Sequence, residues 1–486
     1  MEYLITPKNI ERRIFIKDIG LISASLILGT LGGCEGCAES IRNRPIRRRL
    51  RTGSAEVDAD IATYREAVRH MKELSISDPA DPRGWNKQAE IHGTVAGGFN
   101  LCQHNTDHFF SWHRAYLFYF EKICQKLTGN AKFGLPYWNW NQNTDINPAF
   151  LDTASPLFLA RTRTSVTGFT STTTPTLDPI FTDTNFFTFG AQIEGTPHNS
   201  VHGIVGGTMA SGGSALDPVF WTHHCMVDYC WHKWNVDLGN NNTNDAGWNN
   251  TAWNHFTDAD GNPANISAGI TPVMTLLSYQ YESSAIGSNA AALAIKTKKD
   301  FQKIEKRIKE GANIKFDIKQ RIAIADTAVI NIGRPFSKET TVSPNEFAGI
   351  INNDMAKEQI FAHIQYASLP PTSDFYVRVF INMPQANATT PIDDPHFAGT
   401  FAFFGTEMPA HSNQPNGNEH RHQPRFLVNI TNTLQKLKGT QELKDGSPIS
   451  MQLVAVPYSG QFEKQDTEIR LNKIELIVTP VIINAG

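Results

Sequence analysis

Between Asp107 and Asn130 the chain reads DHFFSWHRAYLFYFEKICQKLTGN, and aromatic and aliphatic residues fall on nearly every side of the helix that this run predicts. A helix apolar all round has to be the middle of something, so the chain must supply other helices to surround it. Gly129 is its predicted stop. From about Ala55, the residues Ile61, Tyr64, Val68, Met71 and Leu74 recur at helical spacing and give out before the turn residues Asp78 to Gly84. Further helices carry HNSVH, His198 to His202, and WTHHCMVDYCWHKW, Trp221 to Trp234. Between Asn141 and Thr188 the content of Thr, Pro, Asn and Asp predicts a long irregular excursion of the kind that walls a site. After Ser284 the period changes. A Lys-rich piece, Lys296 to Lys319, leads to DFYVRVFIN, FAGTFAFFG, FLVNIT, ISMQLVAVP and EIRLNKIELIV, which alternate as strands do. The predicted fold class is α+β multidomain. A mainly helical domain with a central helical bundle occupies 47–285, a linker 286–341 and a small antiparallel β-sandwich 342–486.

Charged residues make up 19% of 486, with a formal net charge of -3, so the chain lacks the basic field of a nucleic-acid binder. Six cysteines are too few for a disulfide scaffold, and Cys225 and Cys230, five apart on one helix, point away from each other. Residues 1–37 read as an export signal: Arg12 and Arg13 open RRIFIK, and an apolar stretch from Ile19 to Leu31 is too short to span a bilayer comfortably. The paired arginines resemble a twin-arginine signal, which implies a bacterial source and export of a protein already folded around a cofactor. Leu31-Gly32-Gly33-Cys34 resembles a lipoprotein cleavage site, which would make Cys34 a lipid anchor; no transmembrane helix is expected in the mature form.

Sixteen histidines are available, and their spacing singles out six. His92, His104 and His113 are separated by twelve and nine residues; His198 and His202 are four apart on one helical face, and His224 follows twenty-two later, with His223 as its ambiguous neighbour. One histidine alone is usually a satisfied polar residue, but two groups of three are a ligand pattern. A site made only of imidazoles points to copper, because calcium, magnesium and most hydrolytic di-metal centres need carboxylates. Zinc in a three-histidine site is the rival, and it does not explain two triads.

The run HGTVAGGFNLCQHNTDHFFSWHRAYLFYFE resembles the first copper motif of the tyrosinase and polyphenol oxidase family, and TPHNSVH with SALDPVFWTHHCMVDYCWHKW resembles the second. The likeness covers about Arg47 to Tyr281, and DFYVRVFINMPQAN with DPHFAGTFAFFG is similar to bacterial members with a β-rich C-terminal domain. It implies two copper ions in a type 3 centre, one held by His92, His104 and His113, the other by His198, His202 and His224. His224 is preferred to His223 because Asp228 follows it by four residues, where it would orient a ligand imidazole; Phe220 is placed to stack on a ligand ring. Cys102, two before His104, implies the thioether of fungal and some bacterial members; the plant position for that cysteine is Ala96 here. Where members usually have arginine after the aspartate this chain has Tyr229, and ASGGSAL, before Asp217, implies an open entrance over the second copper. Glu194 and Asn199 match the pair that holds a basic water there.

The activity implied is oxidation of monophenols or o-diphenols to o-quinones with dioxygen, the alternatives being a catechol oxidase without monophenolase activity and a hemocyanin-like oxygen carrier. Small phenols and dioxygen are the expected partners, with a copper chaperone the one protein partner this reading admits. The C-terminal domain is read as a lid, as a copper-capturing domain through His411, His420 and His422, or as a stabilising domain with a solvated histidine loop.

Overall fold

The computed structural model describes residues 44–167, 177, 180–243, 245–272, 277–282, 318–331, 335–340, 358–366, 368–405, 425–444, 448–458 and 468–480. The export signal with Arg12, Arg13 and Cys34, the Lys-rich piece up to 317, and His411, His420 and His422 lie outside the described residues. No helix among the described residues is long and apolar enough to cross a membrane, and the cysteines there are free.

Two compact units interleave along the chain. One takes the residues up to Gln88, Ser111–Tyr137 and Thr243–Ile314; the other takes Ala89–Phe110, Trp138–Asn242 and Lys315 onward. In the first, helix α1 (Ala55–Ser77) buries Ile61, Tyr64, Val68 and Met71 of the stripe predicted from its spacing, together with Val57, while Leu74 is only half-buried. Helix α2 spans Trp85–His92 and α3 spans Phe109–Thr128. Phe120 of α3 meets Tyr64 edge-on at 6.3 Å between centroids. Glu121 pairs with the fully buried Arg47 at 2.9 Å and also accepts from the Leu135 N–H at 2.8 Å. α3 ends where expected, at Gly129 with φ +68°.

The second unit holds helices α4 (Phe186–Ile193), α5 (Asn199–Val205) and α6 (Pro218–His232) together with the strands that follow Lys315. The strands are β1 (Gln320–Ala325), β2 (Ala328–Asn331), β3 (Phe336–Thr340), β4 (Glu358–Tyr366), β5 (Phe375–Ile381), β6 (Phe397–Ala402), β7 (Arg425–Asn429), β8 (Ile449–Pro457) and β9 (Glu468–Pro480). One antiparallel sheet runs β7-β4-β9-β1, with β2 also on β9; the other runs β6-β5-β8-β3. Ile360, Ile364 and Ile474 of the first sheet share one apolar cluster with Val377, Val379 and Leu453 of the second. On the first sheet's other face Phe361, Leu427 and Ile477 pack with Ala191 of α4, as period-two alternation requires.

A helical core with a β-rich C-terminal region is therefore observed, but the expected linker is too long. By Gln320, not 342, the chain is in a strand: β1 sends Ile322 and Ile324 into the cluster, and β3 pairs with β8 from Ile449 opposite Thr340. The short QRIAIA alternation is hard to read beside the Lys-rich run before it.

Candidate metal centre

Pro197 has no N–H to donate, and the turn Glu194–His198 that contains it is a wide π turn which tightens into α5. His198 and His202 thus stand one turn apart, both buried. α6 opens on Pro218 with Asp217 as its cap, Oδ1 accepting from the Val219 N–H at 2.8 Å, and Arg161 clamps the same carboxylate at 2.6 and 2.8 Å. That fixed start sets where the next turns place Phe220, His223 and His224.

Several rings have their tautomer set by a neighbour. A carbonyl oxygen only accepts, so the His92 Nδ1–H donates to Gly212 O at 2.9 Å and the His202 Nδ1–H to Met209 O at 2.7 Å. His198 Nδ1 lies 2.8 Å from Asn199 Oδ1, and the Asn199 amide is oriented by donating through Nδ2 to Ala402 O at 2.8 Å. With the proton on Nδ1, each Nε2 carries the lone pair, the arrangement of metal-binding histidines. Burial lowers His92 to about 4 and His198 to about 3, and holds His202 well below the usual imidazole range, so the rings stay neutral. His198, His202, His223 and His224 offer ring nitrogens within 4.8 Å of one another with no carboxylate in the group; His92 and His104 lie 5.2 Å apart between ring centroids, and His113 is buried on α3.

His223 and His224 differ in tautomer. The Trp140 Nε1–H can only donate, and it lies 3.1 Å from His223 Nδ1, which places the His223 proton on Nε2 and leaves it no lone pair for a metal. His224 instead points its Nε2 to within 3.3 Å of His202 Nε2. Phe220 packs against His224 at 4.2 Å and against His92 at 4.9 Å between centroids, and Asp228 is buried one turn beyond His224. Cys102 Sγ stands 3.2 Å from His104 Nδ1.

Glu194 is buried and its Oε1 accepts from the Asn105 N–H at 2.7 Å, which braces the left-handed turn (φ +56°) next to His104. Burial raises this carboxyl to about 8, against the pull of that N–H and of Arg425, and cations close by would lower it again. Asn199 is engaged with His198 and Ala402. The glycines expected to form an open entrance are instead packed backbone to backbone. A Cβ on Gly212 would sit 2.2 Å from Gly98 C, and one on Gly93 2.6 Å from Gly212 O.

The space over the second group is filled by a residue to which sequence reasoning gave no role. Phe404, just past β6, stacks on His202 at 3.8 Å and 21°, and lies 5.3 Å from His198 and 5.4 Å from His104. The turn after it is seated on Phe99: Gly405 has φ +90°, and a Cβ there would meet the Phe99 ring at 2.5 Å. The only signal was DPHFAGTFAFFG itself, which names no contact.

The family model of the common central domain of tyrosinase matches residues 82–158 and 147–237. A tyrosinase of Hahella sp. is 31% identical over 46% of this chain, a match that spans 61% of that protein's own length. Polyphenol oxidase B of Solanum lycopersicum, a chloroplastic protein, is 26% identical over 87% of this chain and 77% of its own. Among solved structures, latent apple tyrosinase superposes with a TM-score of 0.62 over 90% of this chain and 97% of that one at 20% identity, a likeness of fold. A latent aurone synthase gives 0.62 over 90% of each chain at 18% identity. Both histidine groups lie inside the matched segments, so the part of the chain that holds them, residues 82–237, matches the common central domain of tyrosinase.

Proposed function

We propose that the protein is a type 3 copper oxidase that converts monophenols and o-diphenols to o-quinones with dioxygen. The observation that carries this is the pair of carbonyl-fixed rings, His92 on Gly212 and His202 on Met209, which aim neutral Nε2 atoms from buried sites without a carboxylate. His92, His104 and His113 would hold one copper and His198, His202 and His224 the other. When bound, the copper pair supplies the two-electron oxidation of a catechol and the oxygenation of a monophenol at the expense of dioxygen. Asn199 keeps the His198 ring in place, and Phe220 and Phe109 shield the rings from water; Phe109 lies 4.9 Å from His198. In this reading the two sheets are the layers of a sandwich whose Phe404 occupies the place of the substrate ring, so the chain is made latent.

On copper loading in air, with dioxygen as the two-electron oxidant that takes up both hydrogens, intact polypeptide mass should fall by the two hydrogens of a Cys102–His104 thioether, and the loaded protein should consume oxygen when given catechol. Reversible oxygen binding without turnover, after Phe404 has been removed, would overturn the oxidase reading in favour of an oxygen carrier.

Glu194 separates the two oxidase activities. A glutamine keeps an oxygen for the Asn105 N–H, so Glu194→Gln removes the proton acceptor and spares the brace. We expect monophenol turnover to fall by roughly 10²-fold, as for a general base, with catechol turnover nearly kept. Equal losses on both substrates would make Glu194 a brace alone.

A further inference from the structure

Trp112, Tyr116 and Tyr119 follow one another at i, i+4 and i+7 on α3, so their rings share one face of the helix. The antiparallel hairpin Ala252–Thr257 and Pro263–Ser267 lies over that face, and its Phe256 packs on all three rings, at 5.5, 6.1 and 5.5 Å between centroids. Trp112 is itself 5.0 Å from Tyr116 and 4.8 Å from the ring of His113, the ligand given above to the first copper. Trp112 and Tyr116 are buried, whereas Tyr119 is half-buried at the surface, its hydroxyl 3.4 Å from Asn265 O. The partner of the Trp112 indole sets it apart. Trp138, Trp221 and Trp234 donate their N–H to the main-chain carbonyls of Asn143, Ala215 and Asp183, which hold a proton poorly. Trp112 donates to His255 Nε2 at 2.9 Å, so that nitrogen carries a lone pair, and the His255 ring is half-buried. An indole that loses an electron becomes a strong acid, and this one has a base in place for its proton. Packing accounts for the rings; it does not require a base opposite the indole.

We propose that this stripe conducts electrons from the surface to the metal centre, so that a site charged with dioxygen but closed to phenols is discharged through Trp112 rather than through its own ligands. The inference rests on the copper reading above. Phe404 creates the need for it, since it covers His202 where a phenol would stack, whereas dioxygen is far smaller. In the first step Trp112 gives one electron to the dioxygen-charged copper pair, and its Nε1 proton passes to His255 Nε2. Tyr119 then gives an electron to the Trp112 radical, which takes its proton back from His255, while the Tyr119 phenol proton leaves to solvent. A catechol in solution restores Tyr119 with one electron and one proton. Two such passes add two electrons to the two that the reduced copper pair supplies, and with four protons from solvent the dioxygen leaves as two waters.

Hydrogen peroxide, added without phenol to the full-length protein loaded with copper(II), gives the copper pair the same oxidising charge. Freeze-quenched electron paramagnetic resonance then reads the outcome. Wild type should show an organic radical whose spectrum narrows when tryptophan or tyrosine is ring-deuterated. Trp112→Phe keeps a ring in the stripe, but it should lose the radical, and peptide maps should show oxygen added to the ligand histidines several times faster. Tyr119→Phe should leave the radical on tryptophan alone. His255→Gln offers an oxygen to the indole N–H but cannot take its proton, so the radical yield should fall as in Trp112→Phe while the melting temperature is nearly kept. A yield that glutamine leaves unchanged makes His255 structural and overturns the proton step. No radical in wild type holding two coppers, or equal histidine oxidation in wild type and Trp112→Phe, overturns the whole proposal. Metal analysis of the same samples separates the two readings: a chain that takes up no copper ends the oxidase reading and this path with it, whereas two coppers without a radical end only the path.

Discussion

Replacing His202 by alanine should reduce bound copper from two ions per chain to about one and bring phenol oxidation to the background rate, with the fold kept. His202 is held from one side by Met209 O at 2.7 Å, faces His224 Nε2 at 3.3 Å and stacks under Phe404 at 3.8 Å. Alanine leaves the second copper two imidazoles, too few to hold it against competing ligands in solution. It also leaves the Met209 carbonyl without its donor, at about 1–3 kcal/mol, and opens a cavity under Phe404. Those costs lower the melting temperature by several degrees without unfolding a chain of this size. The neighbouring His223→Ala makes the contrast. Its Nδ1 accepts from Trp140, so its loss should keep both coppers and reduce activity by about 10–100-fold, the range for a residue that supports a ligand. If instead His223→Ala loses the copper and His224→Ala keeps it, the assignment of the third ligand is reversed.

The parts of this arrangement that were legible in the sequence are the ones set by local periodicity. α1 follows from the stripe Ile61 to Met71, α3 from its all-round apolar run and Gly129, and the two histidine groups from spacings of a few residues to two dozen. Alternation likewise gave β5 to β9 their strand character. What stayed hidden are contacts between residues far apart in the chain. The Nδ1 of His92 is held from Gly212, the side chain of His223 from Trp140, the amide of Asn199 from Ala402, and the face of His202 is covered by Phe404. No periodicity encodes such pairs, because a one-residue change in a distant loop would exchange the partner without altering either local pattern. The glycines at 212 and 213 show the same limit. A glycine-rich run looks alike whether it is an open turn or a seam where backbones touch, and only the approach of Gly98 decides between them.

Phe404→Ala should raise the kcat/KM of the full-length, copper-loaded protein for catechols on the order of 10²-fold. The ring is buried, and it covers His202 face to face while presenting its face or edge to His198, His104 and Phe99. A phenol that stacks on His202 needs the same volume, so substrate and plug exclude each other and activity follows the fraction of molecules in which Phe404 is out. Burying a phenylalanine side chain stabilises the seated form by about 1.5–3 kcal/mol, and at 1.4 kcal/mol per decade that is a penalty of roughly ten- to a hundredfold that alanine removes. The gain should be similar for small and large catechols, because the plug is displaced before any of them touches the rings. Gly405→Ala gives an independent route to the same state. Its Cβ would meet Phe99 at 2.5 Å, and φ +90° is unfavourable for alanine, so the turn that seats Phe404 should lift, with a smaller rise in activity and the phenylalanine still present. Copper content must be measured in each variant, since Phe404→Ala also bares the rings to solvent. Two coppers per chain with unchanged or lower kcat/KM in both variants would show that Phe404 is only a packing residue of the β-rich region and that substrate reaches the histidines by another path.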